Sequence, residues 1–153
     1  MAYLRLDDVN HNMARTFEAG AEILGNGSFV KVGNLKNSND GRDIYAVAEL
    51  SDVAGASYAF IAHDGHRYQA VEDEADIEVK PGELTRGYLL SRGDVITIEK
   101  AMVTGNVVVG DLLAPGASGY KLKKAEGASV NKIAVVELVE KFNGRDCYVI
   151  RFL

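Results

Sequence analysis

The sequence predicts a mainly β fold, a small antiparallel β-barrel or sandwich body preceded by an N-terminal arm. Three observations carry this expectation. The 153 residues include 16 glycines and only two prolines, and the glycines separate many short apolar runs, as in short strands joined by tight turns. Asn143-Gly144 stands between residues 132–142 and 145–153, two apolar-rich segments, and this dipeptide is the strongest short hairpin signal. Gly-Asp recurs before an apolar pair, at Gly93-Asp94 before Val95-Ile96 and at Gly110-Asp111 before Leu112-Leu113. Residues 86–113 therefore read as the folding centre, with Ile96 and Ile98 pointing into the core and Asp94 and Asp111 as turn-end carboxylates.

The length suits one domain. A chain of this size buries roughly two-thirds of its unfolded surface, so it needs neither a metal nor a disulfide to fold. The single cysteine, Cys147, lies in the apolar run Cys147-Tyr148-Val149-Ile150 and reads as a small buried hydrophobe rather than a reactive thiol. The formal net charge of −5 argues against a nucleic-acid binder, which usually carries a basic footprint. The chain opens without a secretory leader pattern and contains no apolar run of membrane-spanning length, so no membrane partner and synthesis in the cytoplasm are expected.

Residues 1–28 read as the arm and residues 29–153 as the β body. In the arm Val9, Met13, Phe17 and Leu24 recur at near-helical spacing, with Asp7 or Asp8 as N-cap, while Asn10, Asn12 and Gly20 weaken that helix. A partly helical arm and an extended one stay open. In either case Tyr3, Leu4, Leu6, Met13 and Phe17 must be covered, by this domain's own core or by another chain. Strands are expected at residues 29–32, 44–50 and 58–62. Asp40-Gly41 reads as a turn, residues 51–57 as a loop, and residues 72–83 as a solvated acidic segment with one short strand at most. Around Arg92-Gly93 a two-residue hairpin would set Leu90 against Val95, Leu89 against Ile96 and Tyr88 against Thr97. Residues 120–123 form a short strand. In the C-terminal hairpin the turn sets Lys141 against Asp146, Val139 against Tyr148, Leu138 against Val149, Glu137 against Ile150, Val136 against Arg151 and Val135 against Phe152. Both faces of that hairpin are largely apolar, which predicts a central position covered on each side.

The chemistry-bearing residues offer little. His63-Asp64-Gly65-His66 carries two imidazoles and a carboxylate, with His11 as the only other histidine. Zinc would need further ligands, and a turn with exposed histidines explains the cluster better. The acidic set Glu72, Asp73, Glu74, Asp76 and Glu78 lacks the spacing of a calcium loop. The Gly-Ala-Ser triplets at Gly55, Gly116 and Gly127 are not nucleophile elbows, and Lys121, Lys123 and Lys124 lack the interleaved aromatics of a nucleic-acid platform. No catalytic residue, metal ligand or cofactor is expected, and the chain reads as a non-enzyme.

Several blocks, in order, carry a resemblance: Phe17-Glu18-Ala19-Gly20-Ala21-Glu22-Ile23, residues 26–35, Ile44-Tyr45-Ala46-Val47-Ala48, residues 86–90 with Gly93-Asp94-Val95-Ile96-Thr97-Ile98, Val109-Gly110-Asp111-Leu112-Leu113, and the closing hairpin. Together they resemble capsid decoration (head cement) proteins of tailed bacteriophages, over most of the chain. The resemblance implies a virion protein that docks on the exterior of an assembled shell, on the major capsid protein, and stabilises it. It also implies a homo-oligomer, with a trimer favoured. By position, the docking surface would be the arm residues Tyr3, Leu4, Leu6, Met13 and Phe17. The competing expectations are another virion role, in the head–tail connection or the tail tube, and a free β-barrel ligand-binding module.

Overall fold

The computed structural model describes residues 4–10, 13–36, 43–62 and 78–153. Among the described residues the strands in chain order are β1 (Leu4–Asp8), β2 (Ala14–Glu18), β3 (Leu24–Gly25), β4 (Phe29–Lys36), β5 (Ile44–Ala48), β6 (Tyr58–Ile61), β7 (Glu78–Val79), β8 (Leu84–Leu89), β9 (Val95–Glu99), β10 (Val103–Thr104), β11 (Leu112–Pro115), β12 (Leu122–Lys124), β13 (Ala134–Phe142) and β14 (Arg145–Phe152), with a 3-10 turn at Lys100–Met102. They form two main bodies. A closed five-stranded barrel runs β2, β5, β4, β6, β8, and an open seven-stranded sheet runs β1, β9, β14, β13, β11, β12, β10. Neighbours are antiparallel except for β2 with β5 and β10 with β12. The short pair β3–β7 brings Leu24 and Val79 to the barrel core.

The mainly β expectation holds, and both a barrel and an open sheet are present. Alternation along the barrel strands explains how they pack. In β6, Ala59 and Ile61 point into the barrel with Phe17, Val30 and Leu24, while Tyr58 and Phe60 point out of it into the core shared with the sheet. Successive side chains face opposite ways along a strand, so a strand buried on both faces must be apolar throughout. The sequence Tyr-Ala-Phe-Ile at positions 58–61 is fully buried. Phe29 and Tyr88 also leave the barrel and meet Ile96, Ile98, Val136, Tyr148, Ile150 and Phe152 of the sheet.

No separate arm forms among residues 4–10 and 13–28. Leu4 pairs with Ile98 and Leu6 with Ile96, which makes β1 an edge strand of the sheet. Residues Ala14 to Glu18 pair with β8 and β5, which makes β2 a stave of the barrel. The helical spacing misleads because the residues that create it are split between two strands, Phe17 in β2 and Leu24 in β3, and the connection before β2, which holds Val9 and Met13. Within β1 the true period is two, with Leu4 and Leu6 alternating with Arg5 and Asp7.

The turn at Gly93 is present, but the strands beside it do not pair. The Asp94 N–H donates to the Ser91 carbonyl at 3.1 Å. Gly93 has φ +90° while Arg92 stays at negative φ, the signature of a type II turn. Such a turn splays its flanking strands instead of matching their twist. β8 accordingly enters the barrel and β9 enters the sheet, between β1 and β14. Ile96 and Ile98 are fully buried, as expected.

Asn143 and Gly144 both have positive φ, +49° and +74°, as a type I′ hairpin turn requires. Lys141 meets Asp146, Val139 meets Tyr148 and Leu138 meets Val149 as read from the sequence. Beyond Leu138 a bulge shifts the register, so Val136 meets Ile150, Val135 meets Arg151 and Ala134 meets Phe152. Without that extra residue, Glu137 would oppose Ile150 in the core. With it, Glu137 reaches the Arg151 guanidinium at 2.6 Å on the outside. Nor is the hairpin covered on both sides, since Leu138 and Val139 are 48% and 39% exposed.

Candidate docking surface

The register sorts the side chains of the large sheet into cross-strand rows. On the inner face run Leu113, Ala134 and Phe152, then Val136, Ile150, Ile96 and Leu6, then Val139, Tyr148, Ile98 and Leu4. Except for Val139, which is exposed, these rows meet the outward-turned aromatics of the barrel. On the outer face run Leu112, Val135, Arg151 and Val95, then Leu138, Val149, Thr97 and Arg5, then Glu140, Cys147 and Glu99, and last Phe142 with Arg145. None of these outer-face residues belongs to either hydrophobic core, although Thr97 and Cys147 are themselves buried.

The outer face has two halves. On the β11–β13–β14 side lies an apolar quartet, Leu112, Val135, Leu138 and Val149. On the β9–β1 side lies a lattice of charges. Arg5 donates to Asp7 and to Glu140, the latter at 3.0 Å, and its guanidinium lies 4.9 Å from the Phe142 ring centroid. Arg145 reaches Glu99 at 3.2 Å, and the Thr97 hydroxyl donates to Asp7 at 2.7 Å. The hydrogen bond to Asp7, with the charges of Asp7 and Glu140, raises the Arg5 pKa further. Cys147 lies beneath this lattice, fully buried. Burial, with the charges of Glu99 and Glu140, raises its thiol pKa, so it stays a protonated, unreactive hydrophobe.

At the border of the quartet, Asp111 ends the second Gly-Asp turn. Its carboxylate accepts the Val108 N–H at 2.9 Å and pairs with Lys124 at 3.0 Å. Both interactions favour the charged form, the hydrogen bond most, and hold its pKa below the ordinary carboxylate value. Both Gly-Asp units thus close the same kind of turn. Asp94 is buried, and its carboxylate accepts the Asn10 N–H at 3.2 Å.

A second concavity lies at the seam of barrel and sheet. It is a cleft of about 370 Å³ lined by Met13, Tyr58, Leu89, Leu90, Ile133 and Leu153, with Asn131 at its rim. The polar groups of Asn131 and Tyr58 are already engaged. The Asn131 side-chain amide donates to Asp52 at 2.8 Å and to the Val53 carbonyl at 2.9 Å, and the Tyr58 hydroxyl donates to the Ser51 carbonyl at 2.8 Å. These bonds latch the loop after β5 to the loop before β13. Engaged in this way, Asn131 and Tyr58 serve the fold rather than a bound small molecule.

The residues expected to dock do not form one surface. Tyr3 lies outside the described residues. Leu4 and Leu6 sit on the inner face against the core, Met13 lines the seam cleft, and Phe17 is fully buried in the barrel. His11, the His63–His66 cluster, the Asp40-Gly41 turn and the acidic residues 72–76 also fall outside the described residues. Among the described residues no group of histidine, cysteine and carboxylate side chains could hold a metal ion, and no helix is long and apolar enough to cross a membrane. Of the quartet, the apolar pattern of the C-terminal hairpin signalled Leu138 and Val149 as cross-strand neighbours; the bulge brings Val135 to their face and β11 brings Leu112. Comparison with protein-family models, curated proteins and solved structures finds no match.

Proposed function

We propose that this chain is a non-enzymatic structural protein of a tailed-bacteriophage virion, and that it docks on the outside of the shell, on the major capsid protein, through the outer face of the large sheet. One observation supports this reading above the others. The quartet Leu112, Val135, Leu138 and Val149 lies on the sheet face turned away from the barrel, with Leu138 exposed and the other three half-buried, beside charges already paired with one another. Apolar patches rimmed by satisfied polar groups mark protein–protein contacts. The resemblance in block order supplies the kind of partner, and a homo-oligomer, with a trimer favoured, belongs to the same proposal. Docking moves from the N-terminal residues to the sheet because Leu4, Leu6 and Phe17 serve this domain's own cores.

The test is sedimentation of the protein with expanded shells, for the native chain and for Leu138→Asp. Leu138 is half exposed, so the variant keeps its fold. A charge in the middle of a desolvated contact should lower shell binding at least about tenfold. Equal binding by the folded variant excludes this face.

A further inference from the structure

Beside the apolar quartet the sheet has an open edge. β11 runs along β13 only as far as Val136, where the Gly110 N–H donates to the Val136 carbonyl at 2.8 Å and the Val136 N–H donates to the Asp111 carbonyl at 3.0 Å. There the chain turns away, with the Asp111 N–H closing on the Val108 carbonyl at 3.0 Å. From Leu138 to the Asn143-Gly144 turn, β13 pairs with β14 alone. In a hairpin closed by a two-residue turn, Phe142, Glu140 and Leu138 bond toward the partner strand, and the residues between them aim their backbone groups the other way. Val139 and Lys141 therefore present N–H and C=O groups along a free edge. Among the described residues no hydrogen bond is made from that side.

The same place gathers exposed apolar side chains. Val108 and Val109, just before the last rung, are 64% and 58% exposed. Leu138 and Val139 follow on β13, one on each face of the sheet. We propose that this notch takes up a short extended segment of the partner protein as an added strand, antiparallel or parallel to β13, in which a run of four or five consecutive apolar residues covers Leu138 on one face and Val139 on the other. Backbone pairing supplies affinity and the side chains on both faces supply selectivity. A second copy of this chain is the poorer occupant. Self-pairing centred on Glu140 sets that carboxylate against itself. Pairing centred on Val139 runs into the bulge between Val136 and Leu138, which breaks the alternation of backbone groups that a second copy would have to meet. The bulge and the Glu140 carboxylates oppose edge-to-edge pairing of identical copies while leaving room for a short apolar strand. The proposal rests on the docking reading only for the source of the segment.

The probe is a capped hexapeptide, lysine-valine-isoleucine-valine-valine-lysine, added at millimolar concentration to the whole chain while amide exchange is followed by NMR. A control peptide carries N-methyl groups on the central residues, which keeps the side chains and removes the donors. We expect exchange at Val139 and Lys141 to slow by about tenfold with the first peptide and to stay unchanged with the second. Unchanged exchange with both peptides, or equal slowing by both, overturns the proposal. Slowing that follows the protein's own concentration without peptide also overturns it, in favour of a second copy. Shell binding that persists when the peptide fails sinks the edge proposal alone. Peptide uptake without any shell binding sinks the virion reading and leaves the edge standing.

Discussion

The Phe60 ring stacks on the Phe152 ring with 5.7 Å between centroids and 23° between planes. Phe60 belongs to the barrel and Phe152 to the last strand of the sheet, so this contact joins the two bodies. Phe60 also stacks on Tyr88 at 5.4 Å and meets Phe29 at 6.4 Å, and Phe29 meets Phe152 edge-on at 6.3 Å. Replacing Phe60 with alanine removes the centre of this cluster. A buried Phe→Ala change costs about 3–5 kcal/mol, and barrel and sheet should lose stability together in one urea transition. Two separated transitions would mean that the bodies do not depend on this contact.

Gly87 makes room for Phe17. A Cβ at that position would lie 2.7 Å from the Phe17 ring and 3.0 Å from the Phe60 carbonyl oxygen. Gly87→Ala must displace a fully buried ring, and overpacking of this kind costs about 1–3 kcal/mol. Chemical denaturation measures the loss. The double variant Gly87→Ala with Phe17→Leu should recover part of it, because the smaller side chain frees the space.

Deleting residues 2–20 separates an arm from a strand. The deletion removes β1 and β2, opens the barrel and strips Phe17 from its core. We expect a chain with the dispersed amide spectrum lost, not a folded body that has merely lost its docking. A cooperative melt of the truncated chain would return those residues to the status of an arm.

Asp111 gives a pH-dependent marker. Its folded-state pKa is depressed by the Val108 N–H and by Lys124, so its contribution to stability is complete above the unfolded carboxylate pKa and is lost as pH falls through the folded value. NMR titration of the Asp111 carboxyl should place it below the ordinary 3.8, and Lys124→Gln should move it back upward. A titration at the ordinary value in the native chain would remove the turn-end role.

The sequence made local features legible and hid those that depend on a third strand. Asn143-Gly144 specifies its own turn, so the five residues on either side pair as read. The bulge at Glu137 answers to the Val136 rungs with Gly110 and Asp111, and those arrive from a distant part of the chain. At Arg92-Gly93 the glycine was readable as a turn residue. The turn type depends on the sign of φ at Arg92, which two residues do not disclose, and that sign sends β8 and β9 into different bodies. In the N-terminal residues the apolar side chains were correctly read as needing cover. Short strands and the connection between them mimic helical spacing when they follow one another closely. The outer face was legible only as a two-sided apolar hairpin. Whether this chain or another covers the second side is decided by where the barrel lies.

Electron microscopy of expanded shells decorated with this protein tests the central claim most directly. The account predicts the large sheet lying against the shell, with Leu112, Val135, Leu138 and Val149 buried in the contact and the five-stranded barrel facing outward. A barrel-first orientation that leaves these four residues in solvent would contradict it, as would shells that bind none of the protein.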